Sequence, residues 1–127
     1  MKSSGARFPA DVVDLFRKSK IIGIRVGASN HRFIGLWAVV VGHHVYVRSW
    51  SVSPGGWYSM LRQARQGEVQ VADKQMRFRA ILTRSERLKD EVTRAYRDKY
   101  NTPGAQNYVR DFSRSKCRAA TVELVPA

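Results

Sequence analysis

The sequence predicts a mainly β fold with flanking helices, an α+β domain whose six antiparallel strands close into a barrel. Three observations carry this reading. The apolar stretches form two locally paired hairpins, and no strand–helix–strand alternation calls for a parallel sheet. Leu36 to Val41, LWAVVV, is apolar at consecutive positions, which marks a strand buried on two sides. Three amphipathic segments supply helices to cover the sheet, and a six-stranded antiparallel sheet loses its exposed edges by closing on itself.

Each element has its own warrant. Pro9 followed by Asp11, Val12, Val13, Leu15 and Phe16 reads as a short amphipathic helix, with proline suited to the first turn and Asp11 and Asp14 complementing its positive end. Lys20 to Val26, KIIGIRV, is β-branched and reads as a strand, followed by a loop over residues 27–32. The strand from Leu36 to Val41 turns at Gly42-His43 into His44 to Trp50, where His44, Tyr46, Arg48 and Trp50 share one face. Residues 51–56 form a loop, and residues 54–66 are mainly helix, with Trp57, Leu61 and Ala64 on one stripe and Tyr58, Arg62 and Arg65 on another. Glu68 to Ala72, a turn at Asp73-Lys74, and Gln75 to Leu82 make the second hairpin, in which Met76, Phe78 and Ala80 alternate with Arg77, Arg79 and Ile81. Thr83 and Glu86 have capping-box spacing, and Leu88, Val92, Ala95 and Tyr96 share the face of a helix ending near Tyr100. Gln106 to Lys116 is polar and reads as irregular, and Ala119 to Val125 is the closing strand. No internal repeat interrupts this order, so residues 1–127 make one domain with a flexible N-terminus over residues 1–8.

Composition narrows the function classes. The net charge of +13, from 23 basic against 10 acidic residues, attracts phosphates, nucleic acid and anionic surfaces. The basic residues are dispersed instead of gathered into the tail of a nucleic-acid arm. No run approaches the roughly 18 apolar residues of a membrane span, and the polar N-terminal segment has no signal-peptide core, so a cytoplasmic protein is expected. The single cysteine, Cys117, excludes an internal disulfide. It stands between Lys116 and Arg118, whose charge could favour thiolate, but reads as an incidental thiol near the last strand. His43 and His44 are adjacent and point to opposite faces of a strand, and His31 lies in a loop, so no metal site is expected.

Arg48 to Tyr58 is the best candidate site. A helix start offers free backbone N–H groups and a positive dipole end, and Gly55 and Gly56 allow a phosphate close approach to the backbone. Arg48 and Ser49 precede this loop and Arg62 follows on the helix, while Tyr46, Trp50, Trp57 and Tyr58 offer rings for stacking. The same stretch also reads as an ordinary turn in which Ser53 caps the helix, with Tyr46 and Trp50 packing in an interface. Nucleophilic catalysis has no support: the chain has no Gly-x-Ser-x-Gly elbow, no Cys–His partnership and no carboxylate pair. Any reactivity would come from a cofactor.

Trp37-Ala38-Val39-Val40-Val41, Val45-Tyr46-Val47-Arg48-Ser49, Gly56-Trp57-Tyr58, Ala95-Tyr96-Arg97-Asp98-Lys99-Tyr100 and Ala119 to Pro126 together carry a resemblance. From about Lys20 onward the chain resembles a small family of uncharacterised bacterial domains related to split-barrel flavin proteins. The wider group includes pyridoxamine-phosphate-oxidase-like and deazaflavin-dependent nitroreductase-like proteins. The resemblance implies a split β-barrel, a homodimer, and FMN or a deazaflavin held between subunits. It places Arg48, Ser49, Gly55, Gly56, Trp57, Tyr58 and Arg62 where such proteins meet the cofactor phosphate, with Tyr46, Trp50 or Tyr58 against the ring. The Arg/Lys-rich cofactor signature of the true oxidases is not matched in detail. Two function classes therefore stand side by side: a flavin- or deazaflavin-dependent reductase-like domain, and a non-catalytic module binding nucleic acid or a small anionic ligand. Salt-sensitive nucleic-acid binding would favour the second, and a saturable cofactor titration the first.

Overall fold

The computed structural model of the protein describes residues 7–27, 32–49 and 56–127. In chain order the elements are α1 (Ala10–Lys18), β1 (Ile22–Val26), β2 (Ile34–Leu36), β3 (Ala38–Val41), β4 (His44–Arg48), α2 (Trp57–Ala64), β5 (Gln66–Val71), β6 (Lys74–Leu82), α3 (Glu86–Lys99), α4 (Pro103–Phe112), α5 (Ser115–Ala119) and β7 (Thr121–Pro126). The strands form one antiparallel sheet in the order β2-β1-β5-β6-β7-β4-β3. Its two edge strands, β2 and β3, are consecutive in sequence and separated by Trp37 alone. The two ends of the sheet are thus tied by one residue, and the result is a nearly closed barrel with flanking helices.

That closure corrects the expected strand count from six to seven. The apolar run from Leu36 to Val41 is not one strand: Leu36 pairs with Ile22 on β1, whereas Ala38 pairs with Val47 on β4. The run is apolar on both faces because β3 alternates between two cores. Ala38 and Val40 pack with the barrel interior, while Val39 and Val41 belong to a second cluster under the helices. The second face of this strand is therefore covered by the chain's own helices.

The interior is filled by alternating residues of the strands, among them Ile22, Ile24, Val45, Val47, Val69, Val71, Phe78, Val122 and Leu124. α1 adds Val12, Val13 and Phe16, and α2 adds Leu61. Phe8 is also buried, against Phe16, so the chain joins the core from there, and the rest of the expected flexible segment falls largely outside the described residues. β1 and β5 approach so closely at Gly67 that a Cβ there would lie 2.2 Å from the carbonyl oxygen of Arg25. The first hairpin turns at Gly42-His43 as expected, with Gly42 at φ +64°, a conformation glycine adopts freely.

Other boundaries move for local reasons. β4 ends at Arg48, and Trp50, expected on the same strand, lies outside the described residues. β5 begins at Gln66 because α2 stops at Ala64, with Arg65 as its left-handed cap. The second turn falls on Ala72-Asp73. Ser85, not Thr83, caps α3, its Oγ accepting from Leu88 N–H at 3.2 Å, while Thr83 N–H donates to Thr121 O and prolongs the sheet ladder. The stretch from Gln106 to Lys116, expected to be irregular, lies in helical structure: α4 starts with Pro103 in its first turn and docks through Ala105 and Val109, and α5 follows with Cys117 buried. β7 accordingly begins at Thr121. Among the described residues no helix is long and apolar enough to cross a membrane.

Candidate functional site

The closure point is built by α3 from the segment Ala95-Tyr96-Arg97-Asp98-Lys99-Tyr100. Tyr96 and Tyr100, four residues apart, share one helical face and reach the same strand break. Tyr96 Oη donates to Trp37 O at 2.7 Å and accepts from Arg48 N–H at 3.1 Å. The Trp37 ring stacks on Tyr100 with centroids 4.1 Å apart, and Tyr108 of α4 meets it edge-on. Tyr100 Oη donates to Lys20 O at 2.7 Å. Lys99 Nζ donates to Phe16 O at 2.8 Å and Ala38 O at 2.6 Å, joining the last turn of α1 to β3. Burial pulls the Lys99 ammonium down to about 8, and it holds the Tyr96 and Tyr100 hydroxyls well above the ordinary phenol range.

Arg48 belongs to this same layer. It is 2% exposed, and its guanidinium donates to Thr121 Oγ1 at 2.8 Å, Thr93 Oγ1 at 2.7 Å and Lys89 O at 2.6 Å. Burial lowers it to about 10, and its three hydrogen bonds rivet β4 and β7 to α3. Tyr46, two residues earlier on the same face, is buried among Val39, Val92 and Tyr96, and its hydroxyl is pushed up to about 12 by burial and then by Glu123. Ser49 is fully buried. The alternation in the sequence put Tyr46 and Arg48 on one face correctly, but α3 occupies that face. Glu123 on β7 is bonded to His44 Nδ1 at 2.6 Å, a pairing that neither residue's sequence neighbours announce.

The other half of the candidate site lies on α2. Its N-cap, Gly56, has extended backbone and no side-chain cap, and its first turn carries no acidic residue. The early N–H groups of this helix thus face no competing carboxylate of their own turn. Trp57 and Tyr58 are half-buried against the barrel core, with ring centroids 6.1 Å apart and planes near perpendicular. Arg62 is exposed, and its guanidinium lies 5.9 Å from the centroid of the Tyr58 ring. Gly56, Trp57, Tyr58 and Arg62 are therefore brought together. Arg48, Ser49 and Tyr46 are engaged in the α3 layer, and Trp50 and Gly55 lie outside the described residues. The α2 group fits a phosphorylated ring compound in its chemistry, with amide donors and a cation for phosphate and two rings for stacking. Arg48 does not fit a phosphate-binding role, because its donors already serve protein oxygens.

The remaining titratable candidates have structural settings. Cys117 is buried, and burial, followed by Asp111, raises its thiol, the reverse of an activated thiolate. Arg118 bonds Glu86 and, at 2.8 Å, Asp90, tying α5 to the first turns of α3. His43 is exposed in the hairpin turn, and His31 lies outside the described residues. Among the described residues no group of three or more His, Cys, Asp or Glu side chains is assembled to hold a metal ion.

Comparison with known proteins places this geometry. The fold is similar to that of a conserved hypothetical protein, Rv2991, from Mycobacterium tuberculosis, with a TM-score of 0.61 at 11% identity, covering 100% of this chain and 84% of that one. It is also similar to a protein from Listeria innocua described as a "Putative Pyridoxamine 5'-phosphate oxidase", with a TM-score of 0.55 at 11% identity, covering 92% of this chain and 90% of that one. At such identity the likeness is one of fold. No curated protein matches the chain. Residues 14–124, from within α1 to the middle of β7, match a family of uncharacterised proteins conserved in bacteria, and the chain belongs to that family, DUF2255.

Proposed function

We propose that the chain is a split β-barrel of the flavin-binding type that holds a phosphorylated FMN or deazaflavin cofactor on the open side of α2 and works as a reductase-like domain. The observation that carries this is the start of α2. A helix terminus with glycine at its N-cap and no acid in its first turn stands beside two half-buried rings and an exposed arginine, in a fold similar to that of an oxidase-like barrel. In this reading the backbone N–H groups of the first turn and Arg62 hold the phosphate, and Trp57 and Tyr58 orient the ring system. The cofactor supplies the redox chemistry when bound. The protein's part is to bind, to orient, and to exclude water from one face of the ring.

The same reading makes the protein a homodimer. Ile21, 59% exposed just before β1, and Ile34, the exposed first residue of the three-residue edge strand β2, are apolar side chains that a partner subunit would cover.

The test is a comparison of variants. Arg62→Ala should weaken FMN or deazaflavin binding at least tenfold, since a charge-assisted contact contributes about 1.5–3 kcal/mol. Equal affinity in the variant and the wild type would remove α2 from the phosphate site.

A further inference from the structure

A second basic feature lies at the opposite end of α2 and is independent of the reading above. Arg65, Arg79 and Arg84 line an open cleft of about 420 Å³, floored by Ala80, Ile81 and Leu82 of β6. Among the described residues no carboxylate lines it. We infer that this cleft is a binding site for a phosphate-bearing small molecule, with the three guanidinium groups on the phosphate and Ile81, on the same strand face as Arg79, against the ligand body.

Strand register separates this cleft from an ordinary solvated face. Arg77 and Arg79 alternate on the same outer face of β6, but their cross-strand neighbours differ. Arg77 stands opposite Glu68, a carboxylate that Arg25 holds at 2.6 Å, whereas Arg79 stands between Gln66 on β5 and Val125 on β7, neither of which carries charge. Glu123, opposite Ile81, is engaged by His44. The chain's other ion pairs draw Asp14, Glu68, Glu86, Asp90, Glu91 and Asp111 to cations elsewhere. Among the described residues, no carboxylate pairs with Arg65, Arg79 or Arg84. Three like charges around one cleft repel one another, and a bound anion relieves that repulsion.

Arg65 is also held in place. Its backbone is left-handed, at φ 58°, a region in which a non-glycine residue is uncommon and strained. Its carbonyl accepts from Ala80 N–H at 2.9 Å, which pins the helix end to β6. Its Nε donates to Arg62 O at 2.9 Å, fixing the root of the guanidinium and leaving the two terminal nitrogens for a forked grip on an oxyanion.

The test uses the whole chain, titrated calorimetrically with pyrophosphate and inorganic phosphate at about 150 mM salt, where weak surface attraction is screened. The expected result is saturable binding that weakens at least about tenfold in the Arg79→Gln/Arg84→Gln double variant, with its thermal melt unchanged. Absence of saturable binding to either anion, or binding untouched by the double substitution, overturns the proposal. A single-stranded oligonucleotide bound more tightly than pyrophosphate, through the same arginines and with a steep salt dependence, also overturns it and assigns the cleft to a polynucleotide backbone. FMN and deazaflavin titrations of the same double variant separate the two sites. Unchanged cofactor affinity alongside lost pyrophosphate binding is the expected pattern, and cofactor binding that persists where no anion binds the cleft leaves the α2 reading standing alone.

Discussion

Replacing Tyr96 with Phe removes one oxygen from the place where the barrel closes, and with it two hydrogen bonds. The hydroxyl is buried, donates to Trp37 O at 2.7 Å and accepts from Arg48 N–H at 3.1 Å. It thereby fixes the open end of the β3–β4 hairpin, Trp37 just before β3 and Arg48 at the end of β4, against α3. A net protein hydrogen bond contributes about 1 kcal/mol, and a buried polar group that loses its partner costs about 1–3 kcal/mol. With two bonds lost and the ring retained, the expected destabilisation is about 2–3 kcal/mol, or a fall in Tm of roughly 10 °C for a domain of this size. Urea unfolding of Tyr96→Phe and the wild type measures it, with an unchanged m-value confirming that the native fold is kept. A difference below about 0.5 kcal/mol, the range of a neutral surface substitution, would refute the idea that this hydroxyl secures the closure.

Two further substitutions probe the frame. Gly67→Ala forces β1 and β5 apart, because the new Cβ would lie 2.2 Å from Arg25 O; a loss of at least about 2 kcal/mol in denaturant unfolding is expected, and a neutral result would contradict the strand register. Lys99 gives a pH signature. Burial lowers it from 10.5 to about 8, so above pH 8 the unfolded chain holds more protons than the folded one, and stability rises with pH. The Lys99 contribution grows from about pH 8 upward while ionisation of the unfolded Cys117 thiol opposes it over the same range, so the signature is the difference in slope between the wild type and Lys99→Met, with the wild type gaining stability relative to the variant as pH rises. A wild-type slope that Lys99→Met leaves intact would sink this assignment.

Much of the architecture is legible in the residues, and the misses have physical causes. Two-sided apolarity announced that residues 38–41 have a core on each face, and alternation in Met76 to Ile81 announced which side of β6 faces inward. Nothing in the apolar run marks Trp37 as a corner, because a bend between two strands needs neither glycine nor proline when distant side chains hold it. Those side chains, Tyr96, Lys99 and Tyr100, sit on a helix far along the chain. α4 escaped because Gln106, Asn107, Arg110 and Asp111 dominate the reading of the segment and because Pro103-Gly104 reads equally as a break or a start. The candidate site divides in the same way. Local sequence located the start of α2 and its Arg62, since a helix terminus is a local feature. It also placed Arg48 on one face with Tyr46, but whether that face meets solvent or a helix depends on tertiary packing. The arginine cleft depends on register, which sets Arg77 but not Arg79 opposite a carboxylate.

The central claim is that a phosphorylated flavin-type cofactor binds at α2, and the visible spectrum addresses it most directly. The purified chain would be titrated with FMN and with a deazaflavin at physiological salt while the absorption band of each chromophore is followed. A saturable spectral shift is expected with one of them, lost in Arg62→Ala. A spectrum that neither chromophore perturbs at any concentration would contradict it.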